Sequence, residues 1–359
     1  YTPAWVGRLY WLRAFARLIP YLIDLWKAGA RDSVFHVMAN SGWSWHLFAA
    51  PAVIVARLRR AAVVVNYRGG GAEEFFKRSY PFVKPVLRLA DAVVVPSGFL
   101  GEVFGKREVD VQVVPNIIDL HRFRGAPEET ASGARPPHLV VTRNLEAIYD
   151  NATAVRAFRL VKNRVPDARL TLAGTGPEGP ALRRLAEELG LGDAVVFAGH
   201  VENVRMPELY RSAAVAVNPS LVDNMPISVL EALASGVPVV STDVGGVPHL
   251  VEDGRSALLV PPRAPERMAE AVLRLLRDPN LAARLADAGR AVSREYSWDC
   301  VRERLFAVYG QALAVAGARQ GGPPGPPWRG TGAAAGIDHE NRAPVAPGRR
   351  RDADHGGER

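Results

Sequence analysis

Residues Ala213–Ser241 read "AAVAVNPSLVDNMPISVLEALASGVPVVS". The stretch divides into an apolar strand at Ala213–Val217, a polar loop, a helix at Pro226–Ala234 and a second apolar strand at Val237–Ser241. Short, wholly apolar strands on either side of one helix describe a parallel crossover unit, because helices cover both faces of a parallel sheet. Asn224 can cap a helix that begins near Met225, Pro226 suits its first turn, and Gly236 suits the position just past its end. Ile227, Leu230, Leu233 and Ala234 form its buried face. Two acids remain, Asp223 in the loop and Glu231 inside the helix. Alone, Asp223 reads as an acid favoured by the helix dipole, and Glu231 as a solvated residue toward the rim.

The same alternation runs through most of the chain. Val34–Met38, Ala62–Asn66, Ala92–Pro96 and Val111–Pro115 read as strands with helices between them. "RGAPEETASGARPP" at Arg124–Pro137 is a linker by composition. Strands then recur at Leu139–Thr142, Arg169–Ala173, Ala194–Phe197, Ala213–Val217, Val237–Ser241 and Leu258–Val260. Helices follow through Pro265–Leu276 and Leu281–Tyr296, with a final amphipathic helix at about Asp299–Val315. The expected fold is α/β, with two Rossmann-like, doubly wound parallel-sheet domains. The first occupies residues 1–123, a linker 124–137 and the second domain 138–298, followed by the helix at 299–315 and a tail at 316–359. The tail is rich in Pro, Gly and Arg without periodicity and is expected to be disordered.

The chain of 359 residues is 48% hydrophobic and 23% charged, a globular profile. One cysteine, Cys300, excludes an internal disulfide framework and suits a reducing, cytoplasmic setting. No stretch reaches the ~18 apolar residues of a membrane span. The net charge of +8 is mostly Arg, dispersed among acids with no basic stripe interleaved with aromatics, which argues against a nucleic-acid partner. Trp5–Ala28 has the pattern of a basic amphipathic helix, and Pro20 is expected to kink or divide it. It reads as a helix packed on a sheet, with a peripheral contact at the inner face of an anionic membrane as the alternative. No His, Cys, Asp or Glu grouping has metal-ligand spacing outside the tail acids Asp352 and Asp354, so metal independence is expected. His36 and His46 read as structural.

Parallel sheets bind ligands beyond the carboxyl ends of their strands. Unusual residues do follow the strands: "NYRGGG", "TRN", "GTGPEG", "GHVEN", "NPSLVDNMP" and "TDVGGVP". Five of these six lie in the second half, which is therefore expected to hold the main ligand. Gly174, Gly176, Gly245 and Gly246 would let backbone amides approach that ligand closely. The free amides at the helix start beyond Asn224 favour an anion such as a diphosphate.

Asp223–Gly236, together with "VPVVSTDVGGVPHLVEDGRSALLVPP", resembles the donor-binding region of the family 4 retaining glycosyltransferases. The resemblance extends over "VPNIIDLHRF", "LAGTGPEGPALRRLAEELGLGDAVVFAGHV", "MPELYRSAAVAVNPS" and "YSWDCVRERLFAVYG". It covers roughly Arg31–Val315 and is densest after Leu139. It implies the GT-B fold, two Rossmann-like domains facing a cleft, and a first domain that lacks its opening strand and Gly-rich loop. It implies no cofactor, with a nucleoside-diphosphate sugar as co-substrate, and transfer of the sugar to a glycan or lipid-linked acceptor. The final helix would cross back to the first domain.

The family's mark is two glutamates with seven residues between; here the first is Asp223 and only Glu231 is glutamate. By the resemblance Glu231 holds ribose hydroxyls, Asp223 contacts the sugar, and Arg143 stabilises the diphosphate as a catalytic cation. The segment Asn224, Met225, Ile227 and Ser228 is donor-binding, with the amides of Met225, Ile227 and Ser228 facing the sugar or diphosphate. Gly174, Gly176, His200 and Val201 are also donor-binding, Val201 beside the base. The lysine usual after the arginine is absent, the region reading "NLEAIYDN" with Tyr149 and Asp150. Arg68 and Gly69, in "NYRGG", are candidates for a phosphate or acceptor contact. Pro226 stands where many members have glycine. The expected activity is retaining transfer in glycan, glycolipid or cell-surface polysaccharide synthesis. A GT-B nucleotide-sugar epimerase and a non-catalytic nucleotide-sugar binder are the rivals.

Overall fold

A computed structural model describes residues 10–30, 33–123 and 136–321. Most of the expected linker and the tail from residue 322 onward lie outside the described residues, as does the first turn of the expected N-terminal helix. The first helix, α1, runs Tyr10–Ala28 without a break at Pro20. The proline removes one backbone bond. The turns beyond it are held by packing, since Tyr21 and Leu25 rest on the first core and Tyr21 Oη donates to Phe48 O at 3.3 Å.

The first sheet comprises β1 (Val34–Ala39), β2 (Ala62–Tyr67), β3 (Ala92–Val95) and β4 (Gln112–Val113), all parallel in the order β1-β2-β3-β4. The connections are α2 (Ala50–Leu58), preceded by a π-turn at Trp45–Ala49, then α3 (Ala72–Leu87) and α4 (Gly98–Gly105). Strand order advancing in a single direction through right-handed crossovers places the connecting helices on one face. β2 shows the result residue by residue. Val63, Val65 and Tyr67 enter the core with Phe75, Phe76 and Phe104, whereas Ala62 and Val64 point the other way.

The opposite face is covered from the far end of the chain. The last helix, α12 (Trp298–Arg319), lays Val301, Val308, Ala312 and Ala316 on Ala62, Val64, Ala92 and Val94. It continues past Val315, where the sequence pattern suggested an end, because Ala316 is still buried and Arg319 pairs with Asp91 at the sheet. Asp91, its side chain almost wholly covered, also accepts from Val63 N at 2.9 Å and pairs with Arg57.

The second sheet holds β5 (His138–Val141), β6 (Arg169–Ala173), β7 (Val195–Gly199), β8 (Val215–Asn218), β9 (Val239–Thr242) and β10 (Leu258–Val260). Its order is β10-β9-β8-β5-β6-β7, all parallel. The chain steps outward through β6 and β7, returns to the far side of β5, and steps the other way through β9 and β10. One face carries α5 (Asn151–Lys162), α6 (Gly179–Glu188), α10 (Pro265–Arg277) and α11 (Pro279–Arg294). The other carries α7 (Met206–Arg211), α8 (Ile227–Ala234) and α9 (Val247–Leu250). This is a doubly wound sheet, and its direction reverses between β5 and β8. Among the described residues no helix is long and apolar enough to cross a membrane.

Candidate functional site

In an open parallel sheet the ligand crevice forms where the winding reverses. Here that point lies between the loops leaving β5 and β8. The first carries Arg143 and the second Asp223, and the two meet although 80 residues separate them. Arg143 Nη2 donates to Asp223 Oδ2 at 2.5 Å, and Nη1 donates to Ser228 Oγ at 3.2 Å. Both partners of the ion pair are about nine-tenths buried. Tyr149, in the region where the resemblance places a lysine, supplies no charge. Its ring centroid lies 4.0 Å from the Arg143 guanidinium carbon, a cation–π contact that holds the arginine in place. Arg143 Nε is buried without an acceptor.

The start of α8 differs from the sequence expectation. Met225 precedes a proline, which disfavours helical backbone at Met225. The helix therefore begins at Ile227, with Pro226 as its N-cap in extended conformation and no side-chain cap. Asn224, expected to cap, instead reaches across to the first domain, its Nδ2 donating to Arg68 O at 3.0 Å and Gly69 O at 2.8 Å. The backbone amides of Met225 and Asn224 lie by the Asp223 carboxylate and favour its ionised form. Ile227 and Ser228 remain as first-turn amides, which a helix cannot satisfy internally.

The glycines also have a packing role that the sequence does not show. A β-carbon at Gly174 or Gly176 would strike the backbone of Arg143 or Leu145, and one at Gly245 or Gly246 the backbone of Asp223 or Asn224. They let loops pack on loops, with Gly246 N donating to Asp223 O at 2.7 Å and Leu145 N to Thr175 O at 3.0 Å. They thereby set how closely the loops after β6 and β9 pack on the loops that carry Arg143 and Asp223.

Glu231 projects from the second turn of α8, half-buried rather than solvated. The fully buried Tyr210 donates to Glu231 Oε2 at 2.9 Å, and its oxygen also lies 2.6 Å from Thr142 Oγ1 and 3.0 Å from Ser228 O. One phenol thus ties the acid, the start of α8 and the residue before Arg143. Burial pushes both acids above the ordinary carboxylate range. For Asp223 the Arg143 charge opposes this most; for Glu231 the Tyr210 hydrogen bond does, then Arg122 and Arg143.

A carboxyl whose pKa is raised on folding contributes stability that is full below its unfolded pKa and lost as pH rises through the folded value. Ionised Glu231 therefore costs stability at neutral pH. Glu231→Gln is expected to raise Tm at pH 7.5 by roughly 2–4 °C, and the gain should vanish near pH 4. Thermal unfolding at the two pH values checks this, and a lower Tm for the variant at pH 7.5 would refute it.

From the first domain, Arg68 follows β2 and lines a cavity of about 130 Å³ together with Asn116, Arg143, Tyr149, Asp223 and Asn224. Gly69 lies behind it, backbone to backbone with Ser41, and meets the second domain through its carbonyl. Asn116 follows β4; its Nδ2 donates to Met225 O at 3.0 Å and its Oδ1 accepts from Arg68. His200, exposed, and Val201, half-buried, follow β7, two strands from β5, and do not line this cavity. Two contributors were not expected. Asn116 directly follows the strand expected at Val111–Pro115, a position that could have singled it out. Tyr210 carries no sequence signal beyond its place in the segment "MPELYRSAAVAVNPS" that shares the family resemblance.

Residues 136–278 match the family described as "Glycosyl transferases group 1". The chain is 34% identical over 232 residues to a D-inositol 3-phosphate glycosyltransferase of Acidothermus cellulolyticus, covering 60% of this chain and 51% of that protein. It is 30% identical over 286 residues to a GDP-mannose-dependent alpha-(1-6)-phosphatidylinositol monomannoside mannosyltransferase of Mycobacterium tuberculosis, covering 73% of this chain and 74% of that protein. The chain thus spans about half the length of the first relative and three quarters of the second. The sucrose-phosphate synthase of Thermosynechococcus elongatus superposes with a TM-score of 0.63 at 24% identity, over 78% of this chain and 74% of that one. HepE of Anabaena, in complex with UDP and glucose, gives 0.66 at 16% identity, over 85% and 83%. The fold is of the GT-B type.

Proposed function

The chain belongs to the group 1 glycosyl transferases, and from that premise we propose that it moves a sugar from a nucleoside-diphosphate donor to an acceptor hydroxyl with retention of configuration. The observation that carries this reading is the convergence of Arg143, Arg68 and Asp223, from opposite halves of the molecule, on one cavity at the sheet's reversal point. As the bond from sugar to diphosphate breaks, negative charge grows on the leaving oxygen. Arg143, Arg68 and the first amides of α8 would stabilise that charge without reorganising. Asp223 holds the Arg143 fork and faces the sugar hydroxyls. Glu231, fixed by Tyr210, takes the ribose hydroxyls. No metal and no organic cofactor enters this scheme.

The cavity is smaller than the ~300 Å³ or more of a typical ligand pocket, so admission of a whole nucleotide sugar requires the two halves to part. The Asn224 and Asn116 bonds across the cleft are the contacts that must break. The names of the relatives favour GDP or UDP as the nucleotide and a glycan or lipid-linked acceptor. A peripheral membrane contact through α1 belongs to the same proposal, supported by the outward Ile19, Ile23 and Trp26.

Thermal shift with UDP, GDP and ADP sugars tests the donor, since a ligand at 100 times its Kd should raise Tm by about 5 °C. Nucleotide release is then followed with the responding sugar, with and without anionic phospholipid vesicles. No shift with any donor would defeat the reading. A shift without turnover on any acceptor would favour a binder, and interconversion of the donor sugar an epimerase. Release unchanged by vesicles would remove the membrane contact.

A further inference from the structure

Arg68 does not reach the cavity unaided. It sits at the end of a chain of side-chain hydrogen bonds that begins on the last helix and crosses the first sheet. Arg68 Nε donates to Asn66 Oδ1 at 3.2 Å, and Nη1 donates to Asn116 Oδ1. Asn66 Nδ2 lies 2.9 Å from His36 Nε2, and His36 Nδ1 lies 2.6 Å from Tyr309 Oη. Asn66 is buried on β2, His36 lies on the neighbouring β1, and Tyr309 lies on α12. We propose that Tyr309, His36, Asn66 and Asn116 form a relay that positions Arg68 for the donor diphosphate, with His36 locked in one neutral tautomer. This rests on the reading of Arg68 as a phosphate cation given above.

Donor and acceptor roles fix each link. Arginine only donates, so the Asn66 atom facing it must be the amide oxygen. The Asn66 nitrogen therefore faces His36, and His36 Nε2 must accept. A neutral imidazole then carries its proton on Nδ1 and donates it to Tyr309 Oη. A second proton on the ring would set N–H against N–H at Asn66. The amide would have to turn, presenting its NH₂ to the Arg68 guanidinium and losing that bond. Charge on His36 and a seated Arg68 are thus incompatible. The charged and titratable groups facing the ring are Arg68 and Tyr309; burial first, and then the Arg68 charge, hold the imidazole pKa below its ordinary value. With two of its five donors used by Asn66 and Asn116, the guanidinium keeps the others for the cavity it lines.

The relay is tested in the unliganded full chain by nitrogen NMR of labelled histidine. His36 is expected as the Nδ1–H tautomer, titrating below the usual histidine range, and Arg68→Ala should raise its pKa. The Nε2–H form, or a titration indifferent to Arg68→Ala, would overturn the relay whatever the substrate. Its role is tested by calorimetric titration with GDP and UDP. His36→Leu should weaken diphosphate binding about tenfold at pH 7.5, close to the loss in Arg68→Ala, while His36→Gln, which restores an acceptor for Asn66, should recover most of it. In the unsubstituted protein the affinity should fall as pH drops from about 8 to 5, and Arg68→Ala should abolish this His36-dependent fall. If Arg68→Ala binds GDP and UDP normally while the tautomer is as described, the phosphate reading of Arg68 fails and the proposal with it. If Arg68→Ala weakens binding and His36→Leu does not, the phosphate reading survives and the positioning role alone is overturned.

Discussion

Arg143→Ala is expected to lower kcat for sugar transfer by about 10²–10³, the usual effect of removing one preorganised donor from developing charge. It should also destabilise the protein by about 3–5 kcal/mol, because Asp223 would be left buried without its counter-ion. The two effects can be separated. Adding Asp223→Ala removes the stranded charge, so the double variant should regain most of the lost stability in urea unfolding without regaining turnover. Arg143→Lys keeps the charge but not the fork that serves Asp223 and Ser228 together, and should recover stability more than rate. If Arg143→Ala turned over donor within tenfold of the unsubstituted protein, the assignment of this arginine to the diphosphate would be wrong.

The second large effect is expected at a residue with no side chain. Gly246→Ala places a β-carbon inside the van der Waals envelope of Asn224 O, and that obstacle is backbone. The loop holding Asp223 and Asn224 must rise, costing about 3 kcal/mol, the upper end of overpacking penalties. A displacement of that kind should cut kcat/KM by about 100-fold. Gly101→Ala provides the control: it lies within α4 with open space around it, and should gain about 0.5–1 kcal/mol. An unaltered Gly246→Ala, in both unfolding and turnover, would show that the loop height does not matter.

These two positions show what could be read from the sequence. The apolar strand runs, the helices between them and the polar loops at the strand ends were visible because each is a local pattern. The loop after Val141 and the loop after Asn218 were singled out, and the sheet brings them together. Their partnership was not visible, because Arg143 and Asp223 meet only through the adjacency of β5 and β8, a long-range fact. The glycines show permissive backbone in one dimension, but the loops that pack against them, those of Arg143, Leu145, Asp223 and Asn224, do not show there. Asn224 reads locally as a cap, but the proline two residues on moves the helix start to Ile227 and frees the Asn224 side chain to cross to the first domain. Tyr210 is not legible in the sequence, because a buried tyrosine looks the same whether or not its hydroxyl ties a site together.

The covering of the first sheet by α12 has a consequence for synthesis. While the ribosome makes the second half of the chain, one apolar side of that sheet, with Ala62, Val64, Ala92 and Val94, has no lid. At 5–20 residues per second the interval between β4 and the end of α12 lasts roughly 10–40 s. The nascent first domain must spend that time as a sticky half-structure, a natural client for a chaperone. A stop codon placed just before α12 should therefore yield aggregate, even though such a truncation would leave every residue that lines the cleft cavity intact.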